Sequence, residues 1–284
     1  MSTPQPGILL PLPPLCRYLV FSLEPDTDVA AGLTALRQVA DGEHTVAGIG
    51  QAPLSAIGRK LPGLKPFPPL SGPGIDIPST PAALWLWLRG DDRGELLLRS
   101  RHIEQALAPV FRLQESCDGF KHDTGRDLTG YEDGTENPTG EAATAAAIAA
   151  DGSSLVAVQR WLHNFSRFDA MQPEDRDNCI GRRRSDNEEL DDAPESAHVK
   201  RTAQESFSPE AFLLRRSMPW ADGMDAGLMF VAFGHTLDAF QAQMRRMIGL
   251  EDGIVDALFR FTRPVSGAYF WCPGMEGGRL ALPI

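Results

Sequence analysis

Between Cys16 and Phe120 the sequence alternates short β-type runs with helical patterns in the order β-α-β-β-α-β. The β-type runs are "CRYLVFSLE", "HTVAGIGQ", "ALWLWLRG" and "FRLQESCDGF", and the helical patterns are "TDVAAGLTALRQVADG" and "DDRGELLLRSRHIEQALAPV". The first helical pattern stops at Gly42, and the second opens with acidic residues followed by apolar residues at helical intervals. This order is that of the ferredoxin-like unit, an antiparallel sheet with helices on one face.

The second half repeats this order of elements without repeating the residues. Strands are predicted by "SLVAVQRWLHNF", "AFLLRRSMPW", "AGLMFVAFGH" and "ALFRFTRPVSGAYFWCPG", and helices by "PEDRDNCIG", beginning near Phe168, and "TLDAFQAQMRRMIG". We therefore predict an α+β protein of two tandem ferredoxin-like (βαββαβ) domains with antiparallel sheets. The Gly-, Asp- and Thr-rich stretch 119–152 places the boundary, and we expect domains 1–130 and 131–284.

The acidic balance of the chain limits its partners. Its 284 residues carry a formal net charge of -11, with 42% hydrophobic and 23% charged residues, which is a globular composition. Nucleic acids and anionic membranes reward clustered Lys and Arg, so we expect neither as a partner. The first residues lack a basic region and are interrupted by prolines, unlike a secretory signal, and we expect a cytoplasmic protein.

The four cysteines argue against structural zinc and against covalently attached haem. They lie far apart, with no CxxC pair and no CxxCH motif, at Cys16, Cys117, Cys179 and Cys272. We expect buried, reduced thiols at these positions.

The stretch "GYEDGTENP", Gly130 to Pro138, concentrates acidic residues between glycines. The ordinary explanation is a turn in which Asp133 bonds to nearby backbone N–H groups. A calcium loop is excluded, because Thr129 and Tyr131 occupy positions that would need acids. The functional alternative is that the glycines allow a close approach to a ligand and that Asp133 moves a proton there.

One histidine and one arginine have contexts that stand out. His198 in "DDAPESAHVKRT" follows an acidic loop at the point where regular structure resumes, although no second ligand at metal-binding spacing supports it. In "LLRRSMPW", Arg215 and Ser217 alternate and would share one face of a strand. A half-buried Arg215 needs an anionic partner, either in an ordinary salt bridge or in a bound ligand.

Taken together, several of these motifs are similar to those of dye-decolorising peroxidases, most of all the bacterial type B subgroup. They are "GYEDGTENPTG", "VQRWLHNF", "AHVKRT", "LLRRSMPW" and "QMRRMIG", in that order. The resemblance extends from about Cys16 to the C-terminus. It implies two tandem ferredoxin-like domains and non-covalent haem b, bound between the sheet and the helices of the C-terminal half.

The resemblance also implies roles on the distal, peroxide-binding side of the haem. The GxxDG motif corresponds to Gly130, Asp133 and Gly134, which makes Asp133 the distal acid. Arg215 matches the distal arginine and also a haem contact, and Ser217 is its polar neighbour.

On the proximal side, His198 matches the histidine that ligates the iron, and Asp256 in "GIVDALF" aligns with the acid that holds its imidazole. Glu136 and Asn137 are expected as further contacts to the cofactor. Two features depart from the family pattern. Arg260 stands where many relatives carry an acid, and the sequence ends at "GGRLALPI" without the long tail that some relatives use for packaging in an encapsulin shell, so we do not expect that partner.

The implied function is a haem b peroxidase that reduces hydrogen peroxide and oxidises dyes, phenols or other small aromatic reductants in one-electron steps through a ferryl state. We also expect a homo-oligomer. Two alternatives remain open at this point. One is a haem-handling protein that releases iron from haem or delivers haem, and the other is a cofactor-free binding module.

Aromatic side chains offer a route for electrons from large substrates, but they are also ordinary core residues. The candidates are Trp85, Trp87, Trp161, Trp220, Trp271 and Tyr131.

Overall fold

A computed structural model describes residues 2–284 of the chain. Its strands are β1 (Leu15–Leu23), β2 (Thr45–Ile49), β3 (Leu70–Gly72), β4 (Ile75–Ile77), β5 (Leu84–Gly90), β6 (Phe111–Phe120), β7 (Ser154–His163), β8 (Leu214–Arg215), β9 (Met218–Asp222), β10 (Asp225–Gly234), β11 (Thr262–Pro264), β12 (Ala268–Cys272), β13 (Met275–Glu276) and β14 (Arg279–Leu280). Its α-helices are α1 (Pro6–Leu9), α2 (Val29–Val39), α3 (Gln51–Ala56), α4 (Arg93–Leu107), α5 (Gly140–Ala147), α6 (Phe165–Ala170), α7 (Pro173–Ile180), α8 (His198–Thr202) and α9 (Asp238–Met247). None of the helices in that range combines the length and the apolar character needed to cross a membrane.

The first half confirms the predicted order of elements. β1, α2, β2, β5, α4 and β6 follow one another, with α3, β3 and β4 inserted in the Pro- and Gly-rich loop between β2 and β5. The four main strands lie in the order β2-β5-β1-β6, and all neighbours are antiparallel. Asp28 and Asp92 begin the two helices, since each carboxylate accepts a backbone N–H of the first turn.

The second half has the same arrangement, built from β7, β9, β10 and β12 in the order β12-β7-β10-β9. Three predicted elements are divided. The strand expected over "ALFRFTRPVSGAYFWCPG" is a 3-10 helix, Ala257–Arg260, followed by β11 and β12. The helix expected near Phe168 is two helices, because Pro173 disfavours a helical residue before it and restarts the helix at its own position. The strand expected over "AFLLRRSMPW" is split into β8 and β9, with the Ser217 hydroxyl accepting the Val231 N–H in the gap.

The two halves share one closed barrel. β12 pairs with β2 at Trp271 and Ile49, and β6 pairs with β9 at Gly119 and Trp220. Because β7 also pairs with both β10 and β12, the hydrogen-bonded neighbours form a circle of eight strands. The architecture is therefore α+β with antiparallel strands, as predicted, but the closure into one barrel was not predicted.

Successive strand residues point to opposite faces, and this alternation separates two packed layers. The barrel interior holds an aromatic cluster that is at most 2% exposed, made of Trp85, Trp87, Trp220, Phe233 and Phe270. The outer face packs against the helices. Buried apolar residues of β1, β5, β7, β10 and α9 form the hydrophobic core there. The outer face of β7 and β10 is the one that borders the candidate site.

All four cysteines are buried and unpaired, which confirms the expected free thiols. Burial raises the pKa of Cys16 and of Cys117 to about 12, because the thiolate would lose its hydration. Neither thiol has the low pKa of a reactive cysteine.

Candidate active site

A cavity lies between the outer face of β7 and β10 and the helices α8 and α9. It encloses about 870 Å³ of space, part of it open to solvent. Three residues singled out in the sequence, Asp133, His198 and Arg215, line it together. Apolar side chains make up much of its wall, among them Leu228, Phe230, Phe240, Met244, Leu258 and Phe261.

On the helix side, His198 is the first residue of α8 and is held by a buried carboxylate. Its Nδ1 lies 2.7 Å from Asp256 Oδ2, and Asp256 is 1% exposed. The other oxygen of Asp256 accepts the Leu258 N–H at 2.8 Å. Since Nδ1–H donates to the carboxylate, the neutral ring keeps a lone pair on Nε2, for which residues 2–284 provide no hydrogen-bond donor. His198 is therefore fixed in orientation at the cavity, with one ring nitrogen free to act as a ligand.

The helix that carries His198 is itself anchored. Arg201, buried in α8, donates two hydrogen bonds of 2.7 Å to the carboxylate of Asp252 and one to the carbonyl of Arg246 at the end of α9. Arg201 hydrogen bonds lower the pKa of the Asp252 carboxyl. The loop after α9 thus holds α8 through Asp252 and its histidine through Asp256.

On the sheet side, Arg215 at the end of β8 faces Asp133. The Arg215 Nη1 lies 3.9 Å from Asp133 Oδ1, and the two side chains are 15% and 25% exposed. This separation is within ion-pair range but too long for a direct hydrogen bond. Both groups therefore retain hydrogen-bonding capacity for a third species between them. Ser217 is buried beside them and lines a smaller adjoining cavity that Asp133 and Arg215 also border.

The two further contacts expected from the sequence are engaged with the protein. The Glu136 carboxylate accepts a hydrogen bond from Arg182 at 2.6 Å, and Arg182 also binds Glu189. The side-chain amide of Asn137 pairs with the backbone N–H and carbonyl of Arg215. Glu136 still borders a second cavity shared with His198 and Arg215, whereas Asn137 borders the smaller cavity near Ser217.

The backbone conformation explains why the GxxDG motif has glycine at positions 130 and 134. Gly130 has φ +90° and Gly134 has φ +76°, in the region that favours glycine. A Cβ at position 130 would lie 2.3 Å from Arg184 Nε, and one at position 134 would lie 2.8 Å from Asn137 Nδ2. The space that these glycines leave is thus occupied by protein side chains.

A hydrogen-bonded network beside the cavity was missed from the sequence. His163 Nε2 lies 3.0 Å from Asp127 Oδ1, and its Nδ1 lies 2.7 Å from Thr262 Oγ1. Burial raises the pKa of the Asp127 carboxyl, but hydrogen bonds from His163 and Thr129 outweigh it, so this pKa lies below its usual value. His163 lies in the motif "VQRWLHNF", which assigned it no role, and Asp127 carried no sequence signal.

The candidate aromatic residues are all buried. Trp85, Trp87, Trp220 and Trp161 are at most 5% exposed, and Trp271 is 9% exposed. Tyr131 lines the cavity and donates its hydroxyl to Asp177 at 2.5 Å. The tryptophans thus occupy core positions.

The donor set and the lining of the cavity fit an iron porphyrin. One imidazole nitrogen is free, the walls are largely apolar, and an acid and a guanidinium lie on the sheet side. Within residues 2–284 there is no group of three or more His, Cys, Asp or Glu that could hold a bare metal ion. A porphyrin-bound iron can be held by a single protein histidine.

Comparison with known proteins identifies what this chain is similar to. The family model described as "Dyp-type peroxidase, C-terminal" matches residues 124–277. A dye-decolorizing peroxidase of Rhodococcus erythropolis is 30% identical over 297 residues, which cover 96% of this chain and 87% of that protein.

Solved structures agree with this. The dye-decolorizing protein from V. cholerae has a TM-score of 0.85 at 28% identity, covering 94% of this chain and 96% of that one. A DypB variant from Rhodococcus jostii RHA1 in complex with heme has a TM-score of 0.86 at 27% identity, covering 95% of this chain and 96% of that one.

The Asp127–His163 network predicts a pH-dependent contribution to stability. The folded-state pKa of Asp127 is lowered, so its stabilisation is present above the unfolded-state pKa of about 3.9 and is lost as the pH falls through the folded value. Asp127→Asn should therefore lower the free energy of unfolding near pH 7, and the deficit should shrink below about pH 4. Urea unfolding at several pH values measures this, and a deficit that does not change with pH would contradict it.

Proposed function

This chain belongs to the dye-decolorising peroxidase family, and on that basis we propose the roles of its cavity residues. The protein is a haem peroxidase that uses hydrogen peroxide to oxidise dyes. The haem-handling alternative is not favoured, because the curated relatives are named as peroxidases. A cofactor-free binding module is set aside, because solved neighbours contain heme.

The observation that carries the proposal is the meeting of His198, Asp133 and Arg215 in one largely apolar cavity. Haem, when bound, would supply a redox-active iron at which peroxide can react. His198 would hold it through Nε2. The Asp256 carboxylate, bonded to Nδ1–H, would keep the ring oriented and make it a more basic ligand.

Asp133 and Arg215 would act on the peroxide itself. Cleavage of its O–O bond requires a proton to move from the inner oxygen to the outer one. The Asp133 carboxylate would accept that proton and return it to the outer oxygen, directly or through a water. The Arg215 guanidinium would donate hydrogen bonds to the departing oxygen as charge develops there. Because Asp133 Oδ1 and Arg215 Nη1 are 3.9 Å apart and form no direct hydrogen bond, both groups would be free to hydrogen-bond to that oxygen.

We propose a ferredoxin-like domain over 1–130 and a second, haem-binding one over 131–284, supported by the matching strand orders of the two halves. The haem would then lie between the sheet and the helices of the second domain, where the cavity is found. We further predict that the protein oxidises phenols and other small aromatic reductants in one-electron steps. We also predict that it forms a homo-oligomer and that it is cytoplasmic.

Substituting the sheet-side residues should separate cofactor binding from peroxide chemistry. We expect Asp133→Asn and Arg215→Leu to retain haem but to react with hydrogen peroxide at least about 100-fold more slowly, because proton transfer and charge stabilisation are typically worth that much. Stopped-flow absorbance measures the rate. Arg112→Leu, which removes a surface arginine paired with Glu24, is the control. Rates equal to the parent for both site variants would overturn these roles.

Removing the iron ligand should affect the cofactor first. We expect His198→Ala to bind haem more weakly and to alter the absorption spectrum, with added imidazole restoring part of the parent spectrum in the vacated space. His44→Ala, at an exposed histidine paired with Asp41, should change neither property. A parent-like spectrum for His198→Ala without imidazole would place the ligand elsewhere.

A further inference from the structure

The side chain of Asn137 occupies the place of a neighbouring strand beside Arg215. The Arg215 N–H donates to Asn137 Oδ1 at 2.8 Å, and Asn137 Nδ2 donates to the Arg215 carbonyl at 3.0 Å. β8 is the last strand in the sheet order, and its pairing with β10 uses the Arg216 N–H, which donates to the Val231 carbonyl. Adjacent residues of an antiparallel strand point their backbone N–H and C=O groups to opposite sides of the strand. The N–H and C=O of Arg215 therefore face away from the sheet. Without Asn137, the Arg215 N–H would lose its protein partner, and the Arg215 carbonyl would keep only the Arg216 Nη1–H, which donates to it at 3.2 Å.

The loop that carries Asp133 is shaped to present this amide. The Asn137 N–H donates to the Gly134 carbonyl, which closes a tight turn directly after Asp133. Gly134 has φ +76°, and any Cβ there would meet the Asn137 amide nitrogen at 2.8 Å. Pro138 restricts Asn137 to an extended backbone. Asp133 therefore lies directly before the short turn that ends in Asn137.

A second amide strengthens the same connection. Gln204, which is 5% exposed, donates from Nε2 to the Glu136 carbonyl at 2.7 Å and accepts the Leu213 N–H at 3.0 Å. It thus joins the acidic loop to the backbone two residues before Arg215. Asn137 and Gln204 together tie the segment of Asp133 to the segment of Arg215 at adjacent points.

We propose that Asn137 is a positioning residue that sets the separation between Asp133 and Arg215. This role rests on the proposed actions of those two residues on peroxide. Asn137 acts through the backbone of Arg215, since its amide is engaged there and it borders the smaller cavity rather than the main one. A displacement of about 1 Å at a reacting group is enough to cost on the order of 100-fold in rate, so a backbone clamp at this point affects the chemistry.

The proposal is tested by cyanide, an anionic ligand of haem iron that a nearby guanidinium stabilises. In the haem-loaded protein, Asn137→Ala should raise the cyanide Kd about tenfold, as expected for one misplaced charge-assisted contact. Asn137→Asp keeps the side-chain volume but turns a second oxygen toward the Arg215 carbonyl, so it should not restore affinity. Added to Arg215→Leu, Asn137→Ala should cause no further loss, because the two act through one group.

A second readout needs no cofactor. In the haem-free protein, Asn137→Ala should speed hydrogen exchange at the Arg215 amide, whose acceptor it removes. The matched control is Asn164→Ala, which removes a comparable bond from Asn164 Oδ1 to the Arg167 N–H at an exposed helix start. It should leave both the cyanide Kd and the exchange at Arg215 unchanged.

The outcomes separate this proposal from the proposed function. If Arg215→Leu weakens cyanide binding and neither Asn137 variant does, the positioning role is wrong while the role of Arg215 stands. If Arg215→Leu itself leaves the cyanide Kd unchanged, the role of Arg215 is wrong and the positioning role falls with it. A further loss from Asn137→Ala in the Arg215→Leu background would also overturn the proposal, because Asn137 would then act independently.

Discussion

The chemistry of the cavity depends on one buried carboxylate, that of Asp256. A carboxylate that is 1% exposed is costly unless it is fully hydrogen-bonded, and Asp256 meets this cost by accepting from His198 Nδ1 and from the Leu258 N–H. The imidazole is thereby fixed in orientation, and its other nitrogen is left free, which is the basis for proposing it as the iron ligand. The same carboxylate begins the short 3-10 helix Ala257–Arg260, whose Leu258 forms part of the cavity wall. The Asp256 carboxylate thus fixes both the orientation of His198 and the position of Leu258 in the cavity wall.

The sheet side is organised differently, by a turn attached to the edge of a rigid barrel. The aromatic interior of the barrel makes β7 and β10 a fixed wall, and the residues that line the main cavity all come from position 127 onward. Asp133 and Arg215 are distant in sequence, and side-chain amides rather than a further strand hold their segments together. Residues 2–126 complete the barrel but contribute no lining residue to the main cavity.

Much of this arrangement could be predicted from the sequence because it follows from local pattern. Strand and helix order depends on periodicity and turn residues, and Asp133, His198 and Arg215 belong to short motifs that a resemblance can identify. Barrel closure could not be predicted, since single contacts such as the one between Gly119 and Trp220 leave no periodic trace. The hydrogen-bond partners of polar side chains could not be predicted either. Nothing in the sequence joins Asn137 to the backbone of Arg215, because that contact exists only once β8 lies at the sheet edge.

The central claim is that His198 holds a haem iron with Asp133 and Arg215 facing the bound peroxide. A crystal structure of the haem-loaded protein, with the iron located from its anomalous scattering, tests it most directly. The account predicts iron at coordination distance from His198 Nε2, with the side chains of Asp133 and Arg215 on the opposite face of the porphyrin. Iron bound to another side chain, or Asp133 and Arg215 on the same face as the histidine, would contradict it.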